Sequence, residues 1–163
     1  MDFQDEIKKS LRTPEEAASD EVDAYVSYDI ERMKQMLKYV ASSGEYEECN
    51  GCTVIRTVIE SYLKKYCRVS FEQEIIRKGF WGQDSSTYQI ATCNYTDMKL
   101  VDLYLRKLGE KAESEGIKFE VFAAYYDRVH QKEHTCPIPG QMRIQAPASR
   151  PVKICMKVSM EIK

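Results

Sequence analysis

Thr13-Pro14-Glu15-Glu16 opens a stretch that reaches Ser43 without an internal helix breaker, and no other feature constrains the fold as strongly. Thr13 is an N-cap, Pro14 takes the first helical position where its missing N–H costs nothing, and Glu16 completes a capping box. Gly44 supplies a C′ stop. Within the stretch, Val22, Val26, Ile30, Met33, Leu37 and Val40 step by 4, 4, 3, 4 and 3 residues, flanked by Asp23, Asp29, Glu31, Arg32 and Lys34. That is a narrow apolar seam of the coiled-coil type, which must lie on a sheet or pair with a twin helix in a homodimer through residues 14–43.

The far end of the chain carries the opposite periodicity. Val152, Ile154, Met156, Val158, Met160 and Ile162 alternate with residues that include Lys153, Lys157 and Glu161. A strict period of two reads as a half-buried strand, expected at a sheet edge where lysines deter further pairing. Residues 117–126 and 86–93 read as two further strands. Thr96-Asp97 opens a helix that ends before Gly116, with Leu100, Val101, Tyr104, Leu105, Leu108 and Ala112 on one face. Phe3, Ile7 and Leu11 mark a short N-terminal helix.

Two segments pull both ways. Val54, Ile55, Val58, Ile59, Tyr62, Leu63 and Tyr66 recur at four-residue steps, so the spacing predicts a helix over 53–66 although the β-branched residues favour a strand. Ser70 with Gln73 reads as a second capping box, which predicts a helix over 71–78 closed by Gly79. Pro137, Pro139, Gly140 and Pro147 predict a loop over about 128–150 without regular structure. The expected architecture is a single α+β domain over 1–163. In it a long N-terminal helix and further helices pack on a small, mainly antiparallel sheet of three to four strands.

A chain of 163 residues with 43% hydrophobic and 31% charged residues has the composition of a globular domain, which excludes the disordered class. No apolar run approaches the roughly 20 residues of a membrane-spanning helix. The acidic opening Met-Asp-Phe-Gln-Asp lacks the basic and apolar regions of a signal peptide, so a cytoplasmic location is expected. In a reducing compartment the six cysteines (49, 52, 67, 93, 136 and 155) are expected as thiols, mostly small buried hydrophobes.

Charge is lopsided. Residues 1–50 hold 13 acids and 6 bases; residues 51–163 hold 13 acids and 18 bases. From Arg128 onward seven Lys/Arg stand against Glu133 and Glu161. The bland reading is that acidic and basic segments face each other; the functional one is a surface for an acidic partner.

Catalytic signatures are missing: there is no nucleophile elbow, Walker loop or dinucleotide fingerprint. Cys49-Asn50-Gly51-Cys52 is the sharpest motif, and with His130 and His134 it would make a tetrahedral zinc set if the fold joined the four. The 77 residues separating Cys52 from His130 argue against a compact finger. No metal, cofactor or enzymatic activity is therefore expected.

Two binding readings remain. In the first, the loop Gly79-Phe80-Trp81-Gly82 presents the only tryptophan beside another aromatic, as interface anchors do. Arg77, Lys78, Arg128, Lys132, Arg143 and Arg150 would guide a partner electrostatically. The chain is then a non-enzymatic protein that regulates or inhibits a protein, or a protein–nucleic acid complex, by stoichiometric contact. Inhibitors carried by phages or mobile elements are of this class, an analogy of size and style alone. In the second, the expected helices 53–66 and 71–78 resemble a helix-turn-helix in outline, and the basic C-terminal third binds nucleic acid.

Overall fold

A computed structural model describes residues 2–78, 84–128, 130–144 and 152–163. Among the described residues three α-helices, α1 (Phe3–Ser10), α2 (Pro14–Ser42) and α3 (Met98–Ser114), accompany eight strands. The strands are β1 (Glu47–Cys49), β2 (Cys52–Glu60), β3 (Cys67–Lys78), β4 (Asp84–Tyr95), β5 (Ile117–Asp127), β6 (Lys132–Pro137), β7 (Gly140–Ile144) and β8 (Lys153–Ile162). They form two antiparallel sheets, ordered β1-β2-β8-β5-β6 and β3-β4-β7. The α+β expectation stands; the small sheet of three to four strands is replaced by this pair.

The N-caps of the two long helices form where the sequence places them. Thr13 Oγ1 accepts from the Glu16 N–H at 3.1 Å, and Asp97 Oδ1 from the Leu100 N–H at 3.2 Å. The seam of α2 buries Val22, Val26, Met33, Leu37 and Val40 among Ile55, Ile59, Val101, Tyr104, Leu108, Met156 and Val158. It faces the chain's own sheet and α3, not a twin helix.

Four sequence expectations are overturned. Residues 52–60 form a strand because Val54, Ile55, Thr57, Val58 and Ile59 are stiff at χ1 and fit a pleated surface better than a helix. Ile55 and Ile59 face the core, while Val58 on the other face is 51% exposed, so the four-residue spacing described no buried helical stripe. Residues 67–78 also form a strand, in which Val69 and Phe71 alternate onto one core; with no helix there, the Ser70–Gln73 capping box has nothing to cap. The Pro-containing segment holds β6 and β7, which turn through Ile138–Pro139. Gly140 makes that turn possible: a Cβ there would stand 2.8 Å from the Pro137 carbonyl oxygen. Finally, β8 is central, hydrogen-bonded to β2 and β5, because its row is buried along its length, Met156 and Val158 under the helices and Ile154 under the smaller sheet. Lys153 and Lys157 lie on the other face and keep it wet.

One face of the larger sheet is shared by two covers. Along β5, Ile117, Phe119 and Val121 meet the helices, and Ala123 and Tyr125 continue the row beneath the smaller sheet, against Ala91, Cys93, Phe71 and Ile144. At the helical end, the Asp29 carboxylate is wholly buried and accepts hydrogen bonds from Ser61 Oγ (2.8 Å), the Tyr62 N–H (3.3 Å) and the Tyr104 hydroxyl. It thereby joins α2, α3 and the turn Tyr62–Tyr66. Burial pushes the Asp29 pKa up against the pull of these donors.

Candidate functional site: the projecting β3–β4 arm

β3 and β4 pair without interruption from Cys67↔Tyr95 to Lys78↔Asp84. Among the described residues, β7 accompanies β4 over Gln89–Cys93, opposite Val69–Gln73. The pairs from Glu74↔Tyr88 to Lys78↔Asp84 extend past the described length of β7, a reach of roughly 15 Å at about 3.3 Å per residue. The inner row shows the same overhang. Val69 and Phe71 pack into the second core, Phe71 edge-on to Tyr125 at 6.0 Å. Ile75, next in that row after Gln73, is 64% exposed.

The root of the arm is braced from the other face. Arg143 on β7 approaches Glu74 with both Nε (2.9 Å) and Nη2 (3.2 Å), and its guanidinium lies 5.7 Å from the Tyr88 ring centroid. A forked, two-contact pair restricts orientation more than a single lysine contact would. Glu74 belongs to the overhang, so this clamp fixes where the arm leaves the body.

The sequence-derived site residues fall in different places. Arg77 and Lys78 are the last residues of β3, on a strand and not on a recognition helix, so the helix-turn-helix outline is lost. Phe80 and Trp81, in the connection between Lys78 and Asp84, lie outside the described residues, as does Arg150. Arg143 braces the arm. Arg128 and Lys132 are exposed at the turn between β5 and β6, in the other sheet. Among the described residues, Arg143 is matched by Glu74, and Lys153 Nζ lies 3.4 Å from Glu60.

The zinc set does not assemble. His130 and His134 gather on the buried Asp127 carboxylate, with His130 Nδ1 at 2.7 Å, its backbone N–H at 3.1 Å and His134 Nε2 at 3.3 Å. Tyr125 stacks on His134 at 5.5 Å, and Gln131 turns the chain at φ +49°. This constellation holds the β5–β6 turn. Cys49 and Cys52 sit at the opposite end of the sheet: β8 begins opposite Ala124 and reaches Ile162 opposite Thr53. A strand of ten residues separates the ends by roughly 30 Å. Among the described residues no three His, Cys, Asp or Glu side chains are placed to hold a metal ion.

Sequence reasoning missed the arm. Val69, Phe71 and Ile75 alternate on one strand and Ala91 and Cys93 answer them on the same face of the next after a Gly-containing connection, a hairpin signal that the apparent capping box obscured. No helix of the described residues is long and apolar enough to cross a membrane. No known protein family matches the chain, and no curated protein or solved structure is significantly similar to it.

Proposed function

We propose that the chain is a non-enzymatic binding protein that regulates or inhibits a macromolecular partner by stoichiometric contact through the β3–β4 arm. The observation that carries this reading is Ile75. It continues the core-facing row of the smaller sheet yet is 64% exposed, so the arm offers an apolar surface that the described residues leave uncovered. Phe80 and Trp81 belong to the connection at the end of this arm, where aromatic side chains act as anchors. Arg77 and Lys78 precede them and supply charge for encounter. The Arg143 clamp supports the reading because a pre-oriented arm loses less entropy on binding.

A nucleic-acid-binding regulator is the second reading, favoured by the face of the larger sheet that the helices leave open. There Arg56, Lys118 and Lys157 stand on three neighbouring strands around Val58. Glu120 on the same face and the Arg56–Glu47 pair at 3.3 Å reduce its pull on phosphates.

Trp81→Ala separates the two. Capture of the protein partner from the native host's lysate is expected to fall at least tenfold, with thermal stability unchanged and capture by the unaltered chain resisting moderate salt. Full capture by Trp81→Ala, or binding that collapses with salt and disappears in Lys118→Ala/Lys157→Ala, overturns the arm reading in favour of the second.

A further inference from the structure

We propose that Cys49 and Cys52 form a reversible dithiol–disulfide site, oxidised by exchange with a small aliphatic disulfide of the glutathione class. The two residues are partners in register across the Asn50-Gly51 turn that joins β1 to β2. Asn50 (φ +53°) and Gly51 (φ +77°) both occupy the left-handed region, which makes this a two-residue hairpin turn whose twist suits the flanking strands. Directly opposed residues of an antiparallel pair have Cα atoms about 4.5–5.5 Å apart, and disulfides span Cα separations of roughly 4.4–6.8 Å. Opposed side chains also project from the same face of the ladder. A Cys-x-x-Cys pair in this turn therefore has its thiols placed for ring closure with little movement of the backbone.

Access separates this pair from three of the remaining thiols. Cys49 is exposed and Cys52 half-buried, as is Cys67, whereas Cys93, Cys136 and Cys155 are buried. Burial pushes Cys67 and Cys93 up to about 12, which suppresses their thiolates at neutral pH. β1 is a three-residue, fully exposed edge strand, so closing the ring disturbs no core contact. Exposed disulfides are the labile and regulatory ones.

The exchange balances in two steps. The Cys49 thiolate attacks one sulfur of the small disulfide, breaking its S–S bond, releasing one thiolate and leaving a mixed disulfide on Cys49. The Cys52 thiolate then attacks the Cys49 sulfur, closes the ring and releases the second thiolate. The two protons lost by the protein thiols end on the two small thiols. The chain loses two electrons and the small disulfide gains them. Glu161 lines the same recess as Cys52, and its carboxylate raises the thiol's pKa, so it acts as a brake on ring closure at neutral pH.

The test uses the reduced, folded chain with excess oxidised glutathione, followed by alkylation after unfolding and mass analysis of the tryptic peptide running from Tyr39 to Arg56. The expected product has lost two hydrogens in that peptide and carries neither glutathione nor alkyl group. The other four cysteines are alkylated, and dithiothreitol restores the starting mass. Cys52→Ser is expected to hold glutathione on Cys49, and Glu161→Gln to close the ring faster. Glutathione persisting on the wild-type peptide, disulfide-linked dimers, or thiols that oxidise only in the unfolded chain overturn the site. An unchanged closure rate in Glu161→Gln removes Glu161 as the brake.

Discussion

Replacing Asp29 by alanine tests the packing argument most directly, because one carboxylate joins both long helices to the strand-linking turn. The substitution leaves the Ser61 hydroxyl, in the core, without its acceptor and the Tyr104 hydroxyl with only the Tyr25 carbonyl at 3.4 Å; the Tyr62 N–H is part-buried and reachable by water. A buried donor left unmatched costs about 1–3 kcal/mol. Removing a carboxylate whose burial is itself unfavourable offsets part of that loss. The net destabilisation is expected at roughly 2–4 kcal/mol, equivalent to a fall in Tm of roughly 4–16 °C for a chain of this size. The pH dependence adds a second reading. Burial, the largest influence on Asp29, raises its folded-state pKa above the ordinary 3.8. Its contribution is therefore complete below that ordinary value and declines as pH rises through the folded-state pKa. Urea unfolding of both proteins from about pH 4 to about pH 8 should show the widest gap at the acid end. A gap under roughly 0.5 kcal/mol, or one that widens as pH rises, would refute the account of Asp29 as a desolvated hydrogen-bond hub.

Two other perturbations address the arm and its surroundings. Arg143→Ala should cost no more than about 1 kcal/mol in stability, since its pair with Glu74 is largely exposed, yet it should weaken partner capture by freeing the root of the arm; unchanged affinity in a titration would show that the clamp does not position the arm. Gly140→Ala places a methyl 2.8 Å from the Pro137 carbonyl and should destabilise the chain by about 1–3 kcal/mol in thermal melts, whereas a neutral result would mean that the β6–β7 turn yields easily.

How much of this was legible from residues alone varies with the range of the forces involved. α2 and α3 were legible because their signals are local: Thr13 and Asp97 cap backbone N–H groups three residues away, and the apolar stripes of both helices are complete. β5 and β8 were legible because alternation over many residues admits no helical reading. The sequence could not rank Val54–Ile59 as strand over helix, since both periods fit and the decision came from β8, a hundred residues away, whose buried row needed a partner. Likewise β3 had a respectable capping box, overruled by its twelve-residue pairing with β4. β6 and β7 hid behind prolines that stand at the end of one strand and in the turn to the next.

For the candidate site the division is sharper. The sequence by itself determined that Phe80 and Trp81 sit between glycines, and that Cys49 and Cys52 flank an Asn-Gly turn, because these are relations between neighbours. It took the tertiary structure to leave Ile75 exposed in a core-facing row, to set Arg143 against Glu74, and to put the histidines a strand's length from the cysteines. Those facts depend on which strands pair and in what register. Long-range pairing of that kind is set by the burial of whole faces, a sum over many residues that no short motif records.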